Sequence, residues 1–94
     1  MNIRQLLKMM IEKEASDIFF SVNSLPRVRI HGVVQEISDE MMTPKEMDKL
    51  KEFMLGDGIL KARFEENKGV DFIHVEPEVG RFRVNMFVQR GTPA

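Results

Sequence analysis

Two arginines alternate with apolar residues near the end of the chain, in the segment GRFRVNMFVQRG that runs from Gly80 to Gly91. Counted in steps of two, one side of this segment is apolar and the other carries Arg81, Arg83 and Asn85. This alternation predicts a half-buried β-strand. A guanidinium group is a planar, permanently charged donor that matches a carboxylate or a phosphate. The strand therefore carries either surface charges that are paired within the sheet or an anion-binding side.

The segment just before it supplies carboxylates for the first interpretation. GVDFIHV also alternates, and the intervening EPEV predicts a hairpin with the arginine strand. Such a hairpin brings Asp71 across from or diagonal to Arg83, and Glu76 and Glu78 close to Arg81. Cross-strand charge pairs of this kind contribute about 0.2–1 kcal/mol. In this interpretation the arginines only stabilise their own hairpin.

Two further interpretations assign the arginines to a ligand. In one, Arg81 or Arg83, together with Arg90 beyond the end of the strand, presents its guanidinium to phosphate. In the other, the sheet face is an RNA platform on which Phe87 stacks a base beside the arginines. RNA-binding domains usually show a basic footprint, and this chain has a net charge of -1. The pattern alone leaves the choice between pairing and phosphate binding open.

Composition limits the size and class of the protein. A chain of 94 residues with 43% hydrophobic residues is long enough for one domain with a single core, so residues 1–94 are predicted to form one domain. With 31% charged residues and a net charge of -1, no general attraction to nucleic acid or anionic lipid is expected. The absence of cysteine excludes disulfides and thiolate metal sites and fits a reducing cytoplasm.

Several catalytic and binding motifs are absent from the sequence. The glycines do not have the spacing of a P-loop, so the chain is not a complete NTPase. His31 and His74 are isolated, and we expect them to be strand surface residues rather than metal ligands. Ser16 and Asp17 have no recognisable catalytic base and are expected to close a turn. The N-terminus lacks the features of a signal peptide, and no segment has the roughly 20 apolar residues that span a bilayer.

The elements that must position the arginines follow from periodicity and turn signals. Thr43, Pro44 and Glu46 in TPKE form a strong helix start, and Asp57 is predicted to cap a second, short helix after Gly56. The predicted elements are a helix over 3 to about 14, strands over 17–22, 27–31 and 33–37 with a turn at 31–32, helices after 43 and 57, and strands over 69–75 and 80–89. Hairpins with segregated helices predict an α+β fold with an antiparallel sheet of about five strands and three helices.

The last residues, RGTPA, resemble the start of another turn. We expect this turn to lead into a further antiparallel strand outside the sequence. That arrangement would leave the arginine strand at an edge of the sheet, with unpaired backbone groups that recruit a neighbour.

Three runs of the sequence together resemble a known family. EKEASDIFFSVNSLPRVRIHGVV, TPKEM and FEENKGVDFIHVEPEVGRFRVNMFVQRG are similar to the N-terminal domain of the PilT/PilU family of type IV pilus retraction ATPases, which act in twitching motility. The resemblance extends from about Ile3 to Gly91 and is most specific in GRFRVN. The family usually has glycine at the position of Glu14 and often a second proline at that of Leu25. These differences concern the geometry of loops.

The resemblance implies a fold, an assembly and a cofactor. Members have a PAS-like α+β domain and are cytoplasmic homo-hexameric ATPases peripheral to the bacterial inner membrane. ATP and Mg²⁺ lie between this domain and a C-terminal RecA-like domain, absent from this chain, that carries the P-loop. The implied partners are the RecA-like domains of the same and neighbouring subunits, with the pilus inner-membrane platform protein as a candidate. The fragment alone is expected to bind no cofactor or metal, and no nucleic acid is expected.

The resemblance also implies which residues face the nucleotide. Carried over by position, Arg83 is the first candidate, Arg81 the second and Arg90 the third, and no catalytic residue is expected within the fragment. Arginines on a moving domain would make closure of the cleft depend on the terminal phosphate. The fragment alone should not hydrolyse ATP, whereas the full-length protein would. A free-standing PAS-like ligand-binding or signalling module is the alternative.

Overall fold

The computed structural model describes residues 3–76 and 80–88. Within these ranges the chain forms three helices and five strands, which confirms the predicted α+β class. In chain order the elements are α1 (Ile3–Glu12), β1 (Ala15–Ser21), β2 (Arg27–Ile30), β3 (Val33–Glu36), α2 (Pro44–Leu55), α3 (Ile59–Asn67), β4 (Gly69–Glu76) and β5 (Gly80–Phe87).

The five strands form one sheet in the order β3-β2-β1-β5-β4. Three of the four pairings are antiparallel, as predicted, but β1 and β5 at the centre are parallel. The antiparallel pairs join strands that follow one another along the chain, whereas β1 and β5 are separated along the chain by β2, β3 and β4 and by α2 and α3. Such a long connection permits parallel pairing, and turn signals alone cannot show which distant strands will meet.

The expectation that the arginine strand would lie at an edge is wrong. β5 pairs with β4 on one side and with β1 on the other. Its pairing with β1 runs from Asp17 opposite Arg83 to Ser21 opposite Phe87. The strand that carries Arg81 and Arg83 is therefore held from both sides, which fixes where these side chains emerge from the sheet.

The core lies between one face of the sheet and the helices. Alternate residues of the central strands point into it, among them Phe20 on β1 and Val84 and Met86 on β5, which are fully buried. Leu7 of α1 and Leu50 of α2 pack into the same cluster. Because the helices bury this face only, the opposite face of the sheet remains open to solvent.

The predicted N-terminal cap of α2 is confirmed, whereas the predicted cap of α3 is not. The Thr43 hydroxyl accepts a hydrogen bond from the Glu46 amide at 3.1 Å, and Pro44 occupies the first turn of α2. Gly58, not Asp57, is the residue before α3, and it supplies no side-chain cap. The Asp57 carboxylate instead lies 3.7 Å from the Lys61 ammonium group, one helical turn ahead.

The first hairpin turns where the sequence predicts it. His31 and Gly32 both have positive φ, 48° and 81°, which suits the tight turn between two antiparallel strands. β1, however, starts at Ala15, so Ser16 and Asp17 lie within a strand rather than in the predicted turn. β1 extends back to Ala15 because Ala15 pairs with Ile30 of β2, with a register irregularity between Ala15 and Asp17.

Candidate functional site

The face of the sheet opposite the helices, called here the outer face, carries the candidate arginines. Strand register places Asp17 of β1 between Arg29 of β2 and Arg83 of β5, all pointing to the same side. The side chains of the outer face are Val34, Glu36, Arg27, Arg29, Asp17, Phe19, Ser21, Arg81, Arg83, Asn85, Phe87, Asp71, Ile73 and Val75. Four arginines and three carboxylates thus share one surface that the helices do not cover.

Arg83 forms a two-pronged ion pair with Asp71 of β4. Its Nε donates to Oδ1 at 3.2 Å and its Nη2 donates to Oδ2 at 2.9 Å. Asn85 Nδ2 donates to the same Oδ1 at 3.0 Å. The Asp71 carboxylate therefore accepts three hydrogen bonds from β5, which confirms the predicted pairing of Asp71 with Arg83.

The pair remains largely in contact with solvent. The side chains of Arg83 and Asp71 are 55% and 47% exposed. Hydrogen bonds to Asp71, together with its negative charge, raise the pKa of the Arg83 guanidinium above its usual value. Arg83 is consequently charged at any physiological pH, and its partner can be replaced without opening the core.

Arg81 lies two residues along the same strand and is also exposed. It is opposite Val75, and its side chain forms no ion pair or hydrogen bond with another side chain in 3–75 or 80–88. Its predicted proximity to Glu76 and Glu78 concerns side chains outside the described part of the chain. Arg90 also lies outside the described residues. The structure therefore brings Arg81 and Arg83 together on one face.

Asp17 forms a second charged cluster at the centre of the outer face, which sequence analysis did not identify. Its buried carboxylate accepts a hydrogen bond from Ser16 Oγ at 2.6 Å and lies 3.4 Å from Arg29 Nη1. The Arg29 guanidinium also lies over the Phe19 ring, 5.5 Å from its centre. The alternation in RVRI, which repeats that in RFRV, was the signal that could have revealed Arg29.

Apolar side chains accompany the arginines on β4 and β5. Ile73 is 59% exposed and Val75 is 64% exposed, and they lie directly opposite Arg83 and Arg81. Phe87 is also exposed, at the end of β5. Exposed apolar residues that cluster beside fixed charges are typical of a surface that contacts another protein or domain.

A groove of about 510 Å³ adjoins the outer face between the end of α3 and the start of β4. Arg63 and Lys68 line it together with Asp71, Asn85 and Phe87. Gly69 lies in the wall of the groove, where an added Cβ atom would come within 3.0 Å of the Phe87 Cβ and 3.1 Å of the Met86 carbonyl oxygen. The Asp71 end of the hairpin is therefore accessible from the side.

The described part of the chain gives no support to a metal site. It contains no group of three or more His, Asp or Glu side chains that could hold a metal ion. His74, which was predicted to be a strand surface residue, is half-buried. It faces the helices, and its ring centre lies 6.4 Å from that of Phe53 and 5.5 Å from that of Phe82.

None of the helices in residues 3–76 and 80–88 is long and apolar enough to cross a membrane.

Comparison with known proteins identifies relatives along the whole chain. The sequence is 33% identical over 92 residues to the type IV pilus ATPase PilU of Pseudomonas aeruginosa, an alignment covering 96% of this chain and 23% of that protein. It is 36% identical over 95 residues to the type IV pilus retraction ATPase PilT of the same organism, covering 100% of this chain and 27% of PilT. The chain thus spans about a quarter of the length of these relatives.

A solved structure shows the same fold. The crystal structure of the pilus retraction motor PilT with bound ADP superposes with a TM-score of 0.72 and is 36% identical, covering 98% of this chain and 27% of the PilT chain. No protein-family model matches the sequence.

Proposed function

Since the chain belongs to the PilT/PilU family of type IV pilus ATPases, we propose that it is the N-terminal domain of a pilus retraction ATPase. In this proposal the outer face closes over a nucleotide held by a RecA-like domain. Arg83 and Arg81 supply positive charge to the nucleotide phosphates, and Arg90 extends this set. The domain moves against the RecA-like domain as ATP is hydrolysed.

One observation carries the proposal. Arg81 and Arg83 emerge side by side on a sheet face that the domain's own helices leave uncovered, next to exposed Ile73 and Val75. A triphosphate needs positive charge beyond that of its metal ion and P-loop lysine. An apolar border would allow a second domain to exclude water around the phosphates, and this exclusion strengthens each charge interaction.

The relatives support the wider context. PilU and PilT are named as ATPases, and the PilT structure contains ADP. We therefore infer that ATP with Mg²⁺ binds the full-length protein, a cytoplasmic homo-hexamer with a PAS-like N-terminal domain. RecA-like domains of the same and neighbouring subunits would be its partners, and the pilus platform protein in the inner membrane a further one. These relatives favour a motor over a free-standing ligand-binding or signalling module.

Ile73→Asp tests whether a second domain covers the outer face. In the full-length protein we expect this substitution to lower ATP turnover about tenfold, because the new carboxylate would lie directly opposite Arg83, compete with phosphate for its guanidinium, and add a desolvation cost of more than about 1 kcal/mol at a buried interface. The matched control is Ile59→Asp, since Ile59 is 71% exposed on α3 and away from the outer face. The measurement is steady-state ATP hydrolysis by both variants.

The free energy of unfolding of the 94-residue chain should change little in both variants, because both side chains are already exposed. If Ile73→Asp and Ile59→Asp hydrolyse ATP at equal rates, no second domain covers the outer face during turnover.

A further inference from the structure

Asp71 occupies the position on Arg83 that a phosphate would take. Its two carboxylate oxygens meet Nε and Nη2 of the guanidinium, the same fork geometry with which arginine binds phosphate. A guanidinium edge that is engaged by a carboxylate cannot bind a phosphate at the same time. Any anion that approaches Arg83 from this side must therefore displace Asp71.

The register of the hairpin shows that the Arg83 side chain extends along the sheet toward Asp71 rather than toward the residue directly opposite it. The residue directly opposite Arg83 is Ile73, whereas Asp71 is opposite Asn85. The guanidinium consequently lies toward the Asn85 end of β5 and away from Arg81. Arg81 and Arg83 start about 7 Å apart along the strand, from the rise of two residues. Once released, Arg83 could share one phosphate chain with Arg81.

The two carboxylates near Arg83 differ in how firmly they are held. Asp17 is buried, and it is engaged by Ser16 and Arg29. Asp71 is 47% exposed, and within the described residues its carboxylate accepts hydrogen bonds only from the side chains of Arg83 and Asn85 on β5. An exposed ion pair contributes little free energy, so exchanging Asp71 for a more highly charged phosphate requires little energy.

We propose that Asp71 is an internal competitor of the nucleotide, which holds Arg83 away from the cleft until a phosphate displaces it. This inference rests on the proposed function, because it assumes that Arg83 contacts the nucleotide. Asn85 stays bonded to Asp71 after the exchange and keeps the released carboxylate from following Arg83. Asp71 thereby sets the affinity of the outer face for phosphate and makes closure depend on a bound nucleotide.

The test measures the affinity of the full-length protein for a non-hydrolysable ATP analogue in four forms. These are the unchanged protein, Asp71→Asn, Arg83→Gln and the double variant. We expect Asp71→Asn to tighten binding about threefold to tenfold, because neither competition nor charge repulsion by Asp71 remains. In the Arg83→Gln background, Asp71→Asn should change the logarithm of the affinity by less than half as much as it does in the unchanged protein.

Two controls separate a local effect from general ones. Asp57→Asn removes the same charge from the loop between α2 and α3, and it should leave the affinity unchanged. Urea unfolding of the 94-residue chain checks that Asp71→Asn remains folded. If Asp71→Asn weakens binding or leaves it unchanged while Arg83→Gln weakens it, Asp71 does not compete with the nucleotide, although the proposed function stands. If Arg83→Gln leaves the affinity unchanged, the role of Arg83 and the competition by Asp71 are both wrong.

Discussion

Replacing both Arg81 and Arg83 by glutamine is expected to lower ATP turnover of the full-length protein by at least about 100-fold. Each substitution removes a guanidinium that would donate a charge-assisted hydrogen bond to a phosphate in a site from which water is excluded. Removal of one such donor commonly costs about 10²-fold or more in rate. Glutamine keeps some length and polarity but cannot supply the charge. Since both side chains are exposed in the domain, its stability should change little.

The matched control is Lys45→Gln with Lys49→Gln, which removes the same total charge from the exposed side of α2. We expect this pair of substitutions to leave turnover within about twofold of the unchanged protein, because Debye screening limits charge effects beyond about 8–10 Å. Equal losses in the two double variants would show that net charge matters and the position of the arginines does not.

Phe20→Ala is expected to lower the free energy of unfolding of the chain by about 3–5 kcal/mol. Phe20 is fully buried on the helix-facing side of β1, so truncation leaves a cavity in the centre of the core. The loss is a large part of the roughly 5–14 kcal/mol that a domain of this length has in total. Urea denaturation followed by circular dichroism measures it.

Phe19→Ala provides the comparison from the other face of the same strand. Phe19 is only half-buried, and the Arg29 guanidinium lies above its ring. Its truncation should cost about 1 kcal/mol from partial burial and the cation–π contact. If Phe19→Ala destabilises the chain as much as Phe20→Ala, the assignment of helix-facing and outer faces of β1 is wrong.

The features that could be predicted from the sequence are those that depend on neighbouring residues. The cap of α2 at Thr43, the turn at His31 and Gly32, and the ion pair of Asp71 with Arg83 within one hairpin are all confirmed. In each, the residue types fix the geometry over a few positions of the chain. Sequence patterns of this range specify these elements and hairpins, although the local cap signal at Asp57 was wrong by one residue.

The features that could not be predicted depend on contacts between distant parts of the chain. Parallel pairing of β1 with β5 is decided by how two separate hairpins meet against the helices, and no local signal records it. The same pairing places Asp17 between Arg29 and Arg83, so the central charged cluster was missed for the same reason. An alternating pattern shows which residues share a face but not which strand lies beside them.

The position of the Arg83 guanidinium relative to bound nucleotide is the most direct test of the proposed function. The measurement is a structure of the full-length protein with a non-hydrolysable ATP analogue and Mg²⁺. We expect a guanidinium nitrogen of Arg83 about 2.7–2.9 Å from a phosphate oxygen, with Arg81 on the same phosphate chain and Asp71 released. A closed cleft in which Arg83 still bonds Asp71, and neither arginine lies within about 4 Å of a phosphate oxygen, would contradict it.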